Sequence, residues 1–501
     1  MRQLSYTISP VWVGLGLFSL CLAILVTLAL AVPGFISTDD YYHARAAAEI
    51  IQQRRLALEF PWLPMTILSP TRYVDHHLLY HMFLAPWAYL GGFFGPKLAA
   101  SAIAAGVFTA VWWLLRQIGV RRAAWWALAL FAASGPFLYR ILMVRTQGAA
   151  LLLLVLMLAV LFARRYRWLI TLAFAFAWLY NGFVLLLGFA AAYTLAVWMT
   201  EHRLEWRPLA YTALGLALGV VINPYFPHNV QFIAEHLGAK VDFESSVRVG
   251  SEWYPYTTGA LLTHAAGALL ALGAGLLRPS LGERRDRVET TLLLVSLLTL
   301  LMLFRSRRFI EYFPAFAVLY AAAAWGRSAL PLPLPRRLVP AVWLAVALAA
   351  MALGIRNIQQ TQRDILDTKP AGYLAGASAW LQQNTPPGSL VFQTDWDDFT
   401  RLFYHNTANT YLVGLDPTYL QRADAKLWDE WVAITRGEVA QPSRSIATRF
   451  GAHYVVSDTQ HRGFINQIED DPGAKLVYQD AYSYIWRIAA PSTDRVVTKA
   501  R

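Results

Sequence analysis

Long apolar runs separated by short arginine-bearing turns fill the first 360 or so residues. Val11 to Val32 supplies about 22 apolar residues behind Arg2, enough to cross a bilayer. That run ends in Leu28-Ala29-Leu30-Ala31, a small-residue pattern of the kind cut in signal peptides. Its apolar core is longer than a signal peptide's, so the reading is an uncleaved anchor with a cytoplasmic N-terminus. Arginine-rich turns follow at Arg116 to Arg122, Arg164-Arg165 with Arg167, Arg203 to Arg207, Arg278 to Arg287 and Arg327 to Arg337. Basic residues in short loops stay on the cytoplasmic side, so the spans between these turns pair up and about eleven crossings are expected. Trp168 to Thr200, turning at Tyr180-Asn181-Gly182, is short for two helices, and one crossing there is open to miscounting. A last span from Val339 to about Gly354 places the C-terminal tail outside.

The expected architecture is a polytopic α-helical membrane protein of about eleven transmembrane helices with a small C-terminal α/β extracytoplasmic domain. Residues 1–360 form the membrane part, with large outer loops at 34–79 and 225–258. The first loop holds an amphipathic helix through Ala48 and Ile51, then Phe60-Pro61-Trp62, then Asp75-His76-His77. The second ends in Gly250-Ser251-Glu252-Trp253-Tyr254-Pro255. Residues 364–501 have an ordinary globular composition. A helix is expected over Pro370 to Gln383, and strands over Ser389 to Gln393, Thr410 to Val413, His453 to Ser457, Leu476 to Tyr478 and Ser483 to Ile488.

Composition agrees: 57% of the 501 residues are hydrophobic, outside the range of soluble domains. The net charge of +12 sits mainly in the short turns, so it reads as topology and lipid attraction, with no nucleic-acid partner. One cysteine, Cys21, precludes an intrachain disulfide, and no Cys/His zinc spacing occurs.

Chemistry concentrates where the chain first leaves the membrane, at Ser37-Thr38-Asp39-Asp40-Tyr41-Tyr42-His43-Ala44-Arg45. Thr38 is a candidate helix cap, with Asp39 and Asp40 in the first turn and His43 one turn on. Carboxylate oxygens with an imidazole suit a hard cation such as Mg or Mn; the structural alternative is a solvated capping box. On the outer side, Arg140, Arg145, Arg305, Arg307 and Arg308 break the positive-inside pattern. Any one of them could snorkel to lipid phosphates, but five together suit two-point contacts to a phosphate-bearing lipid. If Asp75 caps a helix, His77 and His81 share a face, and one histidine of His76 and His77 is a catalytic or binding candidate. Glu252 lies at a loop-to-helix junction among aromatics, where a surface carboxylate is the alternative.

These residues resemble a family. Asp39 to Arg45 is similar to the first outer loop of the oligosaccharyltransferase catalytic subunit, whose archaeal forms read Asp-Pro-Tyr-Tyr-His-x-Arg. Ser251 to Pro255 resembles that family's later motif ending in Ser-x-Ser-Glu, and Arg307 to Tyr312 its arginine-bearing span. Trp396-Asp397-Asp398-Phe399 resembles its tryptophan–aspartate motif. The wider set is the GT-C superfamily of glycosyltransferases. The resemblance implies transfer of a sugar or oligosaccharide from a polyprenyl-phosphate or polyprenyl-diphosphate donor to a glycan, lipid or protein acceptor. It implies Asp39 as the base or the group that orients the acceptor, with Asp40, His43 and Glu252 as further catalytic candidates. Arg145, Arg305, Arg308, Tyr42, His76 and His77 are the implied substrate contacts. A divalent metal on Asp39, Asp40 and Glu252 is the implied cofactor. The family's second outer loop carries an Asp-x-Glu-type metal pair, where this chain reads Arg140 to Gly148 without a carboxylate, and its tail is smaller. The superfamily is therefore favoured over protein N-glycosylation, in a bacterial or archaeal plasma membrane. The rival, a transporter or flippase of a lipid-linked saccharide, would place ionisable residues in mid-span. Here they sit in outer loops.

Overall fold

The first apolar run folds as the helix Pro10–Ala29, and Lys97 pins the chain as it leaves that helix. Lys97 is 3% exposed, and its ammonium donates to the carbonyls of Val32 (2.6 Å) and Pro33 (3.3 Å), satisfying a charge that burial would otherwise penalise. The computed structural model describes residues 9–241, 250–278, 284–327, 335 and 337–489. Arg2, residues 279–283 and 328–334 of two basic turns, part of the second outer loop at 242–249, and the chain after 489 lie outside the described residues.

The chain divides into two compact units. One comprises residues 1–36, 76–233 and 250–368; the other comprises 37–75, 234–249 and 369–501. The expected boundary near residue 360 is therefore crossed by the first outer loop, which belongs with the tail.

In the first unit five described helices are long and apolar enough to cross a membrane. These are Pro10–Ala29, Phe94–Gln117, Val184–Glu201, Arg287–Arg305 and Val339–Leu366, or up to seven if each of two bent pairs is one span. The bent pairs are Ala123–Ala133 with Gly135–Leu142, at 95°, and Thr258–His264 with Ala266–Leu277, at 79°. Four shorter apolar helices accompany them. Apolar side chains of the last helix, among them Leu344, Leu348, Met351 and Ile355, point outward, as a lipid-facing surface requires. Inside, small residues let backbones approach. A Cβ on Gly215 would lie 2.4 Å from the Ile170 carbonyl oxygen, and one on Gly219 would lie 2.9 Å from that of Phe174. This four-residue spacing seats Arg207–Val221 directly on Trp168–Leu179, where lipid offers no hydrophobic drive and close contact is what holds helices together.

The second unit is built on a five-stranded mixed sheet: β1 (Leu390–Gln393), β2 (Thr410–Tyr411), β3 (Tyr454–Asp458), β4 (Ala474–Gln479) and β5 (Ser483–Ile488), in the order β2-β1-β3-β5-β4. β1 is parallel to β2 and β3, whereas β5 is antiparallel to β3 and β4, with a register shift between Leu476 and Tyr478. The five strands overlap the expected ranges, with β2 ending at Tyr411 and not Val413; the expected helix over 370–383 is shorter, Ala375–Asn384. Phe392, Val455, Trp428, Trp431, Phe464 and Trp486 fill the core, each worth roughly 1.5–3 kcal/mol on burial. The first loop joins this unit through backbone bonds: the amide of Tyr411 donates to the Trp62 carbonyl (2.8 Å), and that of Ile67 to the Tyr419 carbonyl (3.2 Å).

Candidate functional site

Charge gathers at one point in each unit. In the first, Ser134-Gly135-Pro136 breaks a helix, and the Ser134 hydroxyl accepts from the Phe137 amide (3.2 Å) to restart it as Gly135–Leu142. That restart carries Arg140, and Arg145 stands in extended backbone before Thr146–Phe162. Ser251–Trp253 is a single 3₁₀ turn carrying Glu252. Arg307–Glu311 is another, placed between Arg287–Arg305 and Phe313–Gly326 and carrying Arg308 and Glu311. Ser306 ties the two turns, its hydroxyl donating to the Glu252 carbonyl at 2.8 Å.

Three guanidinium groups close on Glu252. Arg140 donates twice to Oε2 at 3.1 Å, Arg145 donates once to Oε2 at 3.4 Å, and Arg308 donates to Oε1 at 3.2 Å. Arg140 Nε also donates to Glu311 Oε2 at 2.9 Å, and Glu311 is 1% exposed. Three guanidinium groups thus share the carboxylates of Glu252 and Glu311 in a poorly hydrated setting. Burial alone would raise the Glu252 carboxyl, but Arg145, Arg308 and Arg140 hold it well below the usual range. Arg308 is fixed further by the Tyr180 hydroxyl, which accepts at 3.2 Å, and by the Trp253 ring 4.8 Å from its guanidinium. Burial pushes the Tyr180 phenol up, so it stays a neutral partner. Beside this network lies a cavity of about 310 Å³.

His77 stacks on Tyr180 with ring centres 5.9 Å apart, and His76 lies 4.0 Å from His77. Leu78–Gly91 begins after His77, so His77 and not the expected Asp75 is the cap residue; His77 and His81 still lie one turn apart, their rings 6.1 Å apart. Arg305 is exposed at the C-terminal end of its helix, where the dipole favours a cation.

In the second unit the helix Thr38–Gln53 starts one residue earlier than a Thr38 cap would place it. Ser37 is the cap, and the wholly buried Asp40 accepts from the Ser37 amide at 3.1 Å. The Thr38 hydroxyl instead donates to Asp397 Oδ1 at 3.2 Å, which brings the turn Trp396–Asp398 to the start of the helix. Burial, then Asp39 and Asp395, push the Asp397 carboxyl up to about 7, while the Thr38 hydrogen bond opposes the shift. Arg401 locks the arrangement, donating to the Tyr41 hydroxyl at 2.9 Å. Tyr42 pairs with the Tyr73 hydroxyl (2.9 Å), and His43 is 4% exposed.

The residues present do not fit the implied divalent metal. Among the described residues, no three His, Cys, Asp or Glu side chains gather in a way that could hold an ion. Within its own unit Asp40 closes a helix cap, and within the other both Glu252 oxygens receive guanidinium protons. Sequence reading missed the roles of Glu311, Tyr180 and Thr38. A carboxylate one turn from Arg308 within an apolar stretch was the available signal for Glu311.

No family model matches the chain, and no curated protein matches it in sequence. Its fold is similar to solved structures. The archaeal oligosaccharyltransferase AglB from Archaeoglobus fulgidus, in complex with an inhibitory peptide and a dolichol-phosphate, aligns with a TM-score of 0.64 at 13% identity, over 97% of this chain and 75% of that one. ArnT from Cupriavidus metallidurans, bound to undecaprenyl phosphate, aligns with a TM-score of 0.59 at 16% identity, over 96% and 98%. The arabinofuranosyltransferase AftD from Mycobacteria aligns with a TM-score of 0.58 at 17% identity, over 97% of this chain but 40% of that one. The chain thus has the polytopic helical fold of these glycosyltransferases.

Proposed function

We propose that this chain is a membrane glycosyltransferase. It moves a sugar from a polyprenyl-phosphate or polyprenyl-diphosphate donor to an acceptor on the outer face of a bacterial or archaeal plasma membrane. The observation that carries the reading is the trio Arg140, Arg145 and Arg308, gathered around Glu252. Guanidinium forks suit phosphate oxygens, and two proteins of similar fold were solved with polyprenyl phosphates. The proposed topology has about eleven crossings, which draws on the bent pairs and the shorter apolar helices, with the tail outside.

In the proposed reaction an acceptor nucleophile attacks the anomeric carbon. The bond from that carbon to the phosphate oxygen breaks, and the polyprenyl phosphate leaves with the bonding electrons. Asp39 takes the acceptor's proton. Arg145 and Arg308 receive the charge that develops on the leaving phosphate, an electrostatic task for pre-placed groups. Tyr180 and Trp253 position Arg308, and Glu311 positions Arg140. Asp40 fixes the helix start that presents Asp39. The test is transfer by the reconstituted full chain from a labelled polyprenyl-linked sugar. Asp39→Asn should abolish turnover while its melting curve stays that of the wild type; wild-type turnover in that variant overturns the reading.

A further inference from the structure

We propose that the cavity beside Glu252 holds a single sugar residue, the glycosyl group of the donor, so that this chain transfers a monosaccharide and not a preassembled oligosaccharide. The inference rests on the donor chemistry proposed above and narrows it. At about 310 Å³ the cavity sits at the bottom of the range of roughly 300–1,000 Å³ usual for small-ligand sites. Arg140 and Glu252 line it and also belong to the arginine network, so a sugar seated there would reach a phosphate on Arg145 and Arg308.

The cavity also presents Asp364 and Asp367 from the end of the Val339–Leu366 helix. Spaced three apart, they share a face. A helix C-terminus disfavours carboxylates, since its dipole end is already negative, so the pair is poorly explained by local stability. Gln360 orients one of them by donating to Asp364 Oδ1 at 2.7 Å. Ionised carboxylates only accept hydrogen bonds, and sugar hydroxyls donate them. Tyr139 and Tyr256 supply aromatic surface for the C–H faces of a ring. Tyr139 is anchored through its hydroxyl to the Ile36 carbonyl at 2.7 Å, and the Arg307 guanidinium lies 5.4 Å from the Tyr256 ring centre.

The experiment measures binding to the full chain in detergent of bare polyprenyl phosphate, its monohexosyl ester and its oligosaccharyl ester. In the wild type the single hexose should tighten binding by roughly tenfold, as expected for one or two charged hydrogen bonds. Further sugars should add nothing or weaken it. In Asp364→Asn and Asp367→Asn the gain from the hexose should fall several-fold, while the affinity for bare polyprenyl phosphate, which also reports folding, is retained. An undiminished gain in both variants overturns the proposal, and so does an oligosaccharyl ester that binds more tightly than the monohexosyl one. If bare polyprenyl phosphate binds through Arg308 but the hexose adds nothing, this inference fails and the donor reading stands. If the bare carrier does not bind at all, both fail.

Discussion

Replacing Glu252 by glutamine should both loosen the protein and tighten its grip on phosphate. The substitution keeps size and one acceptor but removes the charge that three guanidinium groups share at 3.1, 3.4 and 3.2 Å. The side chains are 11%, 9% and 10% exposed for Arg140, Arg145 and Arg308, and 23% for Glu252, so water screens them only partly. At an effective dielectric near 20 each close pair is worth about 4 kcal/mol of attraction, most of it offset by the cost of desolvation. What remains after one partner is removed is the penalty of uncompensated buried charge, about 3–5 kcal/mol. The substitution makes the cluster more positive by one charge, so bare polyprenyl phosphate should bind Glu252→Gln more tightly than the wild type. Thermal unfolding of the full chain in detergent, with and without that lipid, reads both effects. Glu59→Gln is the control: its ion pair with Arg55 is 73% and 61% exposed and should be worth under about 1 kcal/mol. If Glu252→Gln melts with Glu59→Gln and the lipid protects it no better than the wild type, Glu252 is not the counter-ion that gathers the arginines.

Three further outcomes are expected. Arg308→Ala should weaken use of the donor by roughly 1.5–3 kcal/mol, the value of a charge-assisted contact, while Arg327→Ala, whose guanidinium pairs with Asp286 and Glu289, should not; superimposable donor saturation curves would refute this. His461 donates to Asp458 at 2.7 Å, and although burial lowers its pKa, the carboxylate raises it above the ordinary 6.5. The stability this pair adds is complete below pH 6.5 and disappears as pH rises through the raised value, so unfolding followed across pH should show a loss on the alkaline side that His461→Gln abolishes. Gly215→Ala should destabilise the first unit by at least about 1–3 kcal/mol through overpacking, because its methyl meets the Ile170 carbonyl; an unchanged melting curve would show that the helix pair can slide apart.

The sheet of the second unit was legible because its strands obey a local rule, short runs rich in β-branched and aromatic residues, as in Ser483–Ile488. Arg145, Arg308 and Glu252 were legible one at a time, as charges where lipid makes charge expensive. Their partnership was not, since Arg308 meets a carboxylate 56 residues earlier and Arg145 one 107 residues later. No sequence pattern spans such gaps, and a carboxylate awaiting guanidinium reads the same as one awaiting a metal. The 95° bend had a local signal in Ser134-Gly135-Pro136, a cap followed by two helix breakers. Asp397 is the converse case: its motif was visible, but the Thr38 hydrogen bond 359 residues away was not.

The two ends of the sheet bear on how copies of this protein meet. β2 contributes only two residues, and Trp62 of the first loop already takes its Tyr411 amide. β4, at the other end, carries Lys475 and is interrupted by the shift between Leu476 and Tyr478. Neither gives another strand a long, straight row of amides to zip onto. Proteins confined to a lipid plane collide far more often at a given copy number than proteins free in solution. Here such encounters find blunted edges, so dense packing in the plane offers β-sheet aggregation a poor template on this domain.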